Sequence, residues 1–192
     1  MTQALGSNVF EYKLNNGLKL IIVEDHKSPV ATFQIWYRVG SRDEDVGKTG
    51  LSHFLEHMMF KGTEKYGPKE FSKIIQRAGG VDNAYTTKDY TAYFQKLPPD
   101  RLDLSITLES DRMRGLLLPQ KEVERERNVV MEERRMRYED NPENLLAEEV
   151  IATAFKSHPY RWPVIGWMED IKGLRRSDLL NYYNKYYVPD NA

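Results

Sequence analysis

Residues 9–23 read VFEYKLNNGLKLIIV: two apolar runs, 9–14 and 18–23, flank Asn15-Asn16-Gly17. Asn-Gly between such runs predicts a β-hairpin, because both residues accept the left-handed backbone that a tight turn between antiparallel strands requires. Outward from it, residues 30–39 alternate, with Ala31, Phe33, Ile35, Tyr37 and Val39 set against Thr32, Gln34 and Arg38, the pattern of a half-buried strand. Residues 81–86 and 89–97, joined through Thr87-Lys88 and rich in Tyr, Thr and Phe, predict a second antiparallel pair. Two helices are expected between these strands. A polar loop over 40–48 leads into TGLSHFLEHMMF at 49–60, with Thr49 or Ser52 as cap and an end near Lys61-Gly62. The next begins with Pro68 as its first residue, carries Phe71, Ile74 and Ile75 on one face and stops at Gly79-Gly80. After Pro98-Pro99 the pattern turns helical: Leu102, Ile106, Leu108 and Met113 mark one helix, a Pro119-started segment to about Glu139 a second, 142–155 a third and 177–187 a fourth. Strands grouped first and helices later, without strict alternation, predict an α+β fold, an antiparallel sheet covered by helices.

The 192 residues carry 28 Lys+Arg against 29 Asp+Glu, a net charge of -1, and no cysteine. Without basic excess there is no electrostatic case for nucleic acid or an anionic membrane as partner. Apolar runs of about four residues fall far short of the roughly 18 needed to span a bilayer, so no membrane helix is expected. The start, MTQALGSNVFEYK, lacks the basic and apolar regions of a signal peptide. A soluble protein of the cytoplasm or the periplasm is the expectation, with the compartment open. No repeat or low-complexity stretch divides the chain, and its length supports a core without staples. Lacking thiols, any metal site must use nitrogen and oxygen ligands.

Two of the four histidines lie in His53-Phe54-Leu55-Glu56-His57. On a helix, residues four apart are neighbours, so both imidazoles can grip one cation, with Glu56 beside them. Zinc prefers such ligands, and a neighbouring carboxylate that does not ligate can take a proton from the water the metal activates. His-x-x-Glu-His is the inverzincin signature. The competing reading is a helix with two unliganded histidines. A catalytic zinc wants a third protein ligand, and EVERERNVVMEERRMR at 122–137 offers one: Glu126 and Glu133 lie two helical turns apart on one face, with Val129 and Val130 between them. A solvated helix of Glu/Arg pairs is the alternative there.

These segments carry a resemblance. TGLSHFLEHMMFKGTEKY (49–66), AGGVDNAYTTKDYTAYF (78–94) and ERERNVVMEE (124–133) closely resemble the M16 metallopeptidases, the inverzincin group of pitrilysin, insulin-degrading enzyme and the mitochondrial processing peptidase β subunit. The likeness runs from NNGLKLIIVED (15–25) to YYNKYYVPDNA (182–192), and 75 residues, 58–132, separate His57 from Glu133 as that pattern asks. The resemblance implies a zinc endopeptidase in which His53, His57 and Glu133 hold Zn2+, Glu56 is the general base and Glu126 an accessory acidic residue of the catalytic site. It implies peptide or unfolded polypeptide substrates, taken up as an added strand along an exposed edge; the matching residues are Asn83, Ala84, Tyr85 and Thr86, for which a plain aromatic-rich sheet is the other reading. Phe60 either lines the same cleft or packs in the core, and His26 and His158 stay unassigned. The resemblance also implies that residues 1–192 are the zinc-binding N-terminal half, ending before that half is complete. A second half, with its Arg/Tyr pair, would come in cis from further sequence or in trans from a dimer partner. A non-catalytic M16-like structural or peptide-binding subunit is the rival within the fold, and an α+β interaction module with an incidental histidine pair is the rival outside it.

Overall fold

A computed structural model describes residues 8–192 in full and the backbone of 3–6. The opening hairpin forms as expected: β2 (Val9–Lys13) pairs antiparallel with β3 (Lys19–Val23), and β1 (Gln3–Gly6), which the sequence reading did not anticipate, adds on the far side of β2. The turn runs from Leu14 to Leu18, closed by Leu14 N–H to the Leu18 carbonyl at 2.9 Å, with Gly17 left-handed at φ 92°. A second three-stranded antiparallel sheet has the order β4 (Ala31–Tyr37), β6 (Thr91–Leu97), β5 (Val81–Thr86), so β5 is an edge strand.

Among the described residues, seven α-helices follow the strands or connect them: α1 (Leu51–Met58), α2 (Glu70–Arg77), α3 (Leu102–Gly115), α4 (Gln120–Arg134), α5 (Pro142–Ala154), α6 (Met168–Gly173) and α7 (Arg176–Tyr186). The α+β expectation of antiparallel sheet and covering helices holds. The short α6 carried no pattern long enough to announce it. Between α4 and α5 the chain makes a π-helical turn, Arg135–Glu139.

The core lies between α1 and the second sheet. Phe54, Leu55 and Met58 of α1, Tyr37 and Tyr93 of the sheet, Val123 and Val130 of α4, and Leu179 and Tyr183 of α7 form one buried cluster. Each fully buried large apolar side chain there stabilises by about 1.5–3 kcal/mol, so α1 is anchored through its apolar face. Phe71 and Ile75 of α2 pack on Leu108 of α3 in a smaller cluster.

Several local expectations are corrected. Neither Thr49 nor Ser52 caps α1: Gly50 stands at that position with φ 89°, and the free N–H groups of Gly50 and Ser52 are taken at 2.7 Å each by the buried carboxylate of Glu44. Thr49 instead gives its hydroxyl to Asp170 at 2.6 Å and accepts from the Trp167 N–H at 2.9 Å. Pro68 lies before α2 rather than in it; left-handed Lys69 (φ 65°) precedes the helix, and the Glu70 carboxylate reaches back to the Gly67 N–H at 2.6 Å. Ile106 of α3 faces solvent at 52% exposure, although Leu108 and Met113 are buried. No helix among the described residues is long and apolar enough to cross a membrane.

Candidate metal centre

Helix α1 presents His53, Glu56 and His57 at i, i+3 and i+4, and the two imidazole rings stand 4.7 Å apart. Helix α4 supplies the acidic side. Its inward stripe is Val123, Glu126 and Val130, all buried, with Glu133 one turn further on. Val129 is not part of that stripe; it is 50% exposed.

The two glutamates play different parts. Glu126 places one oxygen 2.9 Å from His57 Nδ1 and pairs its other oxygen with the Lys61 ammonium. Glu133 aims Oε2 at both imidazoles, 3.7 Å from His53 Nε2 and 3.3 Å from His57 Nε2, and gives Oε1 to the Arg137 guanidinium at 2.7 Å. Because Nδ1 of His57 is committed to Glu126, its Nε2 is the nitrogen left to face an ion. Nδ1 of His53 is buried without a hydrogen-bond partner among the described residues.

Protonation follows from this packing. Burial resists charge on His57, but hydrogen bonds to Glu126 and Glu133 outweigh it and push the group up to about 9. Burial, reinforced by His57, pushes His53 down to about 4. Burial also works to raise Glu126 and Glu133, yet the hydrogen bonds to His57, with Lys61 aiding Glu126, leave both carboxyls below their ordinary value. Glu56 goes the other way. Its burial dominates, against a hydrogen bond donated by the Thr86 hydroxyl, and its carboxyl is raised.

A metal fits the donor set. Donor atoms of His53, His57 and Glu133 lie within 4.8 Å of one another. Zinc bonds of about 2.0–2.1 Å in a tetrahedron put neighbouring ligands roughly 3.3–3.5 Å apart, close to the 3.3 and 3.7 Å found between the imidazole nitrogens and Glu133. Beside these donors opens a cleft of about 250 Å³ lined by Glu56, His57, Phe60, Lys61, Lys69 and Glu126.

The residues singled out from the resemblance as a peptide-binding edge divide by strand parity. Thr86 points inward to Glu56, and Ala84 packs on the core. Tyr85 faces the opposite side, where its ring meets Trp36, Tyr90 and Phe94 at 6.0–6.3 Å, so its side chain does not reach the metal centre. Asn83 accepts the Ala84 N–H on its side-chain oxygen at 2.9 Å. Phe60 serves both readings offered for it: it lines the cleft and packs against Phe71 and Tyr93. Sequence reasoning passed over Lys61 and Arg137, although each stands four residues after a candidate ligand, which is itself a signal of shared face.

The family profile described as Insulinase (Peptidase family M16) matches residues 19–166. This chain belongs to the M16 peptidase family. Among M16 relatives, it is 42% identical over 180 residues to a protein of Helicobacter pylori named zinc protease PqqE, across 93% of this chain and 40% of that protein. It is 31% identical to the Bacillus subtilis protein named uncharacterized zinc protease YmxG, across 94% of this chain and 44% of that one. The crystal structure of a protease from Helicobacter pylori superposes with a TM-score of 0.93 at 40% identity, over 95% of this chain and 44% of that one. Pitrilysin superposes with a TM-score of 0.82 at 25% identity, over all of this chain and 21% of pitrilysin. The M16 chain described here thus spans less than half the length of the relatives it matches.

Proposed function

We propose that this chain carries the catalytic zinc site of a metalloendopeptidase that hydrolyses peptide bonds in extended or unfolded polypeptides. His53, His57 and Glu133 are the ligands, and Glu56 is the general base. The observation that carries the reading is the convergence of two imidazole nitrogens and one carboxylate oxygen beside the half-buried Glu56 carboxyl at the wall of a cleft. Zinc bound there would supply a Lewis acid and bring the pKa of a water toward about 7. Glu56, with its carboxyl raised by burial, is suited to accept a proton near neutral pH and to return it to the departing amine. Thr86 holds that carboxyl from the end of β5. The free edge of β5 suits an extended peptide added as a further strand, with backbone hydrogen bonds giving affinity.

Glu126 acts through His57. Both of its oxygens are engaged, one by the imidazole and one by Lys61, so it fixes the tautomer and orientation of a ligand instead of meeting the substrate. Residues 1–192 form the zinc-bearing N-terminal domain of a two-half enzyme, the second half supplied by further sequence of the same chain or by a partner subunit. Cytoplasm and periplasm both suit such an enzyme. The non-catalytic alternative has no observation in its favour, because all four motif residues are present and converge.

Metal analysis tests the site: one zinc per chain is expected at neutral pH and none in His53→Ala. For the chemistry, Glu56→Gln in the full-length protein is expected to keep zinc and lose peptide cleavage; undiminished turnover in that variant would remove Glu56 as the base.

A further inference from the structure

Both site glutamates are built alike: one oxygen faces an imidazole and the other is held by a cation. For Glu126 the cation is Lys61, which follows α1 on a turn closed by its own N–H to the Met58 carbonyl at 3.0 Å. For Glu133 it is Arg137, 2.7 Å away. Arg137 does not sit on a free helix end. It belongs to the π-helical turn, where the Asp140 N–H bonds the Arg135 carbonyl five residues back at 2.9 Å. That turn is tied to α5 by the Asn144 side-chain amide on the Arg137 carbonyl at 2.8 Å, and the α4 residue before it by the buried fork of Arg134 on Glu148 at 2.7 and 2.9 Å. Such π turns are frequent at functional sites.

We propose that Lys61 and Arg137 are positioning residues for the metal centre: each clamps the outer oxygen of a site glutamate so that the inner oxygen keeps its aim at an imidazole or at the ion. The inference rests on the zinc reading above. Two effects follow from the clamp. A carboxylate fixed by its outer oxygen loses no rotational freedom when the inner one takes up an ion. The cations also offset the mutual repulsion of Glu56, Glu126 and Glu133, which crowd one site. Each cation also repels the ion, so the clamp favours binding through the fixed aim of the inner oxygen, and the sign of the change in zinc affinity in the Met variants decides it. The competing account of Arg137 is an ordinary helix-surface pair, since its side chain is 64% exposed.

Lys61→Met and Arg137→Met separate the two, with Lys61→Arg and Arg137→Lys as conservative partners. Zinc dissociation constants are measured at fixed pH by competition with a chromophoric chelator. The visible spectrum of the Co(II)-substituted chain and the unfolding temperature of the metal-free chain are recorded beside them. Each Met variant is expected to bind zinc about 10–100-fold more weakly, the usual cost of losing an outer partner of a metal ligand. Its Co(II) band should shift and its metal-free unfolding temperature should not, and each conservative variant should recover most of the affinity. Unchanged or tighter zinc binding in a Met variant overturns the assignment of that residue, as does a loss mirrored by metal-free destabilisation. Wild type that binds no zinc overturns the proposed function along with this inference; wild type that binds zinc as well as both Met variants do overturns this inference alone.

Discussion

Glu126 and Glu133 occupy the same face of one helix two turns apart, yet their neighbours give them different work. The first is closed on His57 and Lys61; the second keeps one oxygen aimed between two imidazoles. Replacing Glu126 by Gln keeps the shape and an acceptor for Nδ1 but removes the charge that polarises the imidazole. Zinc affinity is expected to fall by about tenfold or more with folding intact, as chelator competition and circular dichroism would show. The pairing of His53 with His57 and the shared face of Glu126 and Glu133 were legible in the sequence because each is local: i, i+4 on one helix and two turns on another. The contact between Glu126 and His57, 69 positions apart, is a product of tertiary packing and left only a shared face as its trace. For the peptide edge the opposite holds. Four consecutive strand residues cannot all turn their side chains to one ligand, and alternation alone separates Tyr85 from Thr86.

At the scale of elements, the start of α1 decides whether the site forms. Gly50 is left-handed, and a Cβ there would stand 2.4 Å from the Ile165 carbonyl oxygen; one on Gly166 would stand 2.4 Å from that of Thr49. Gly50→Ala is therefore expected to destabilise the chain by more than about 2 kcal/mol, read from urea or thermal unfolding. Burial pushes the Glu44 carboxyl up to about 8 despite the N–H groups of Ser52 and Gly50 that it accepts. Between its ordinary value of 4.5 and about 8 the folded chain holds a proton that the unfolded chain has released, so this group makes stability fall as pH rises through that window. Urea unfolding at several pH values should show this slope in wild type and a flatter one in Glu44→Gln; equal slopes would rule the effect out. Sequence reading sought the cap next to the helix, where caps usually stand. The real one arrives from six residues before Gly50 through a loop whose course depends on burial.

In the whole molecule, α3 is joined to the second sheet by charge as well as apolar contact. Arg112, 1% exposed, forks onto Glu109 with two bonds of 2.6 Å, and Gln95 of β6 donates to the same carboxylate at 2.6 Å. Its guanidinium stacks 4.2 Å from the Phe71 ring centre and 4.3 Å from that of Tyr93. Arg112→Ala leaves Glu109 buried and uncompensated, and about 3–5 kcal/mol of stability should be lost in denaturant unfolding. Replacing both partners with apolar residues of similar volume should cost less than either single change. Apolar periodicity could not reveal this: α3 buries Glu109 and Arg112 and exposes Ile106, so its pattern ran against its packing. The class of fold survived such errors because hairpin chemistry and strand alternation are local, and the outline of sheet and helices depends on little else.

Strand β3 has a bearing on how the chain behaves in a test tube. Leu20, Ile21, Ile22 and Val23 are 37–60% exposed, and apart from the Lys19 N–H reaching the Ala192 carbonyl at 3.4 Å, no strand pairs with its outer edge among the described residues. A short apolar strand, wet on both faces and open along one edge, is a template for chain-to-chain pairing. This edge is remote from the candidate metal centre, so light scattering is expected to grow with concentration, and Ile21→Lys or Val23→Lys to suppress it without touching zinc uptake.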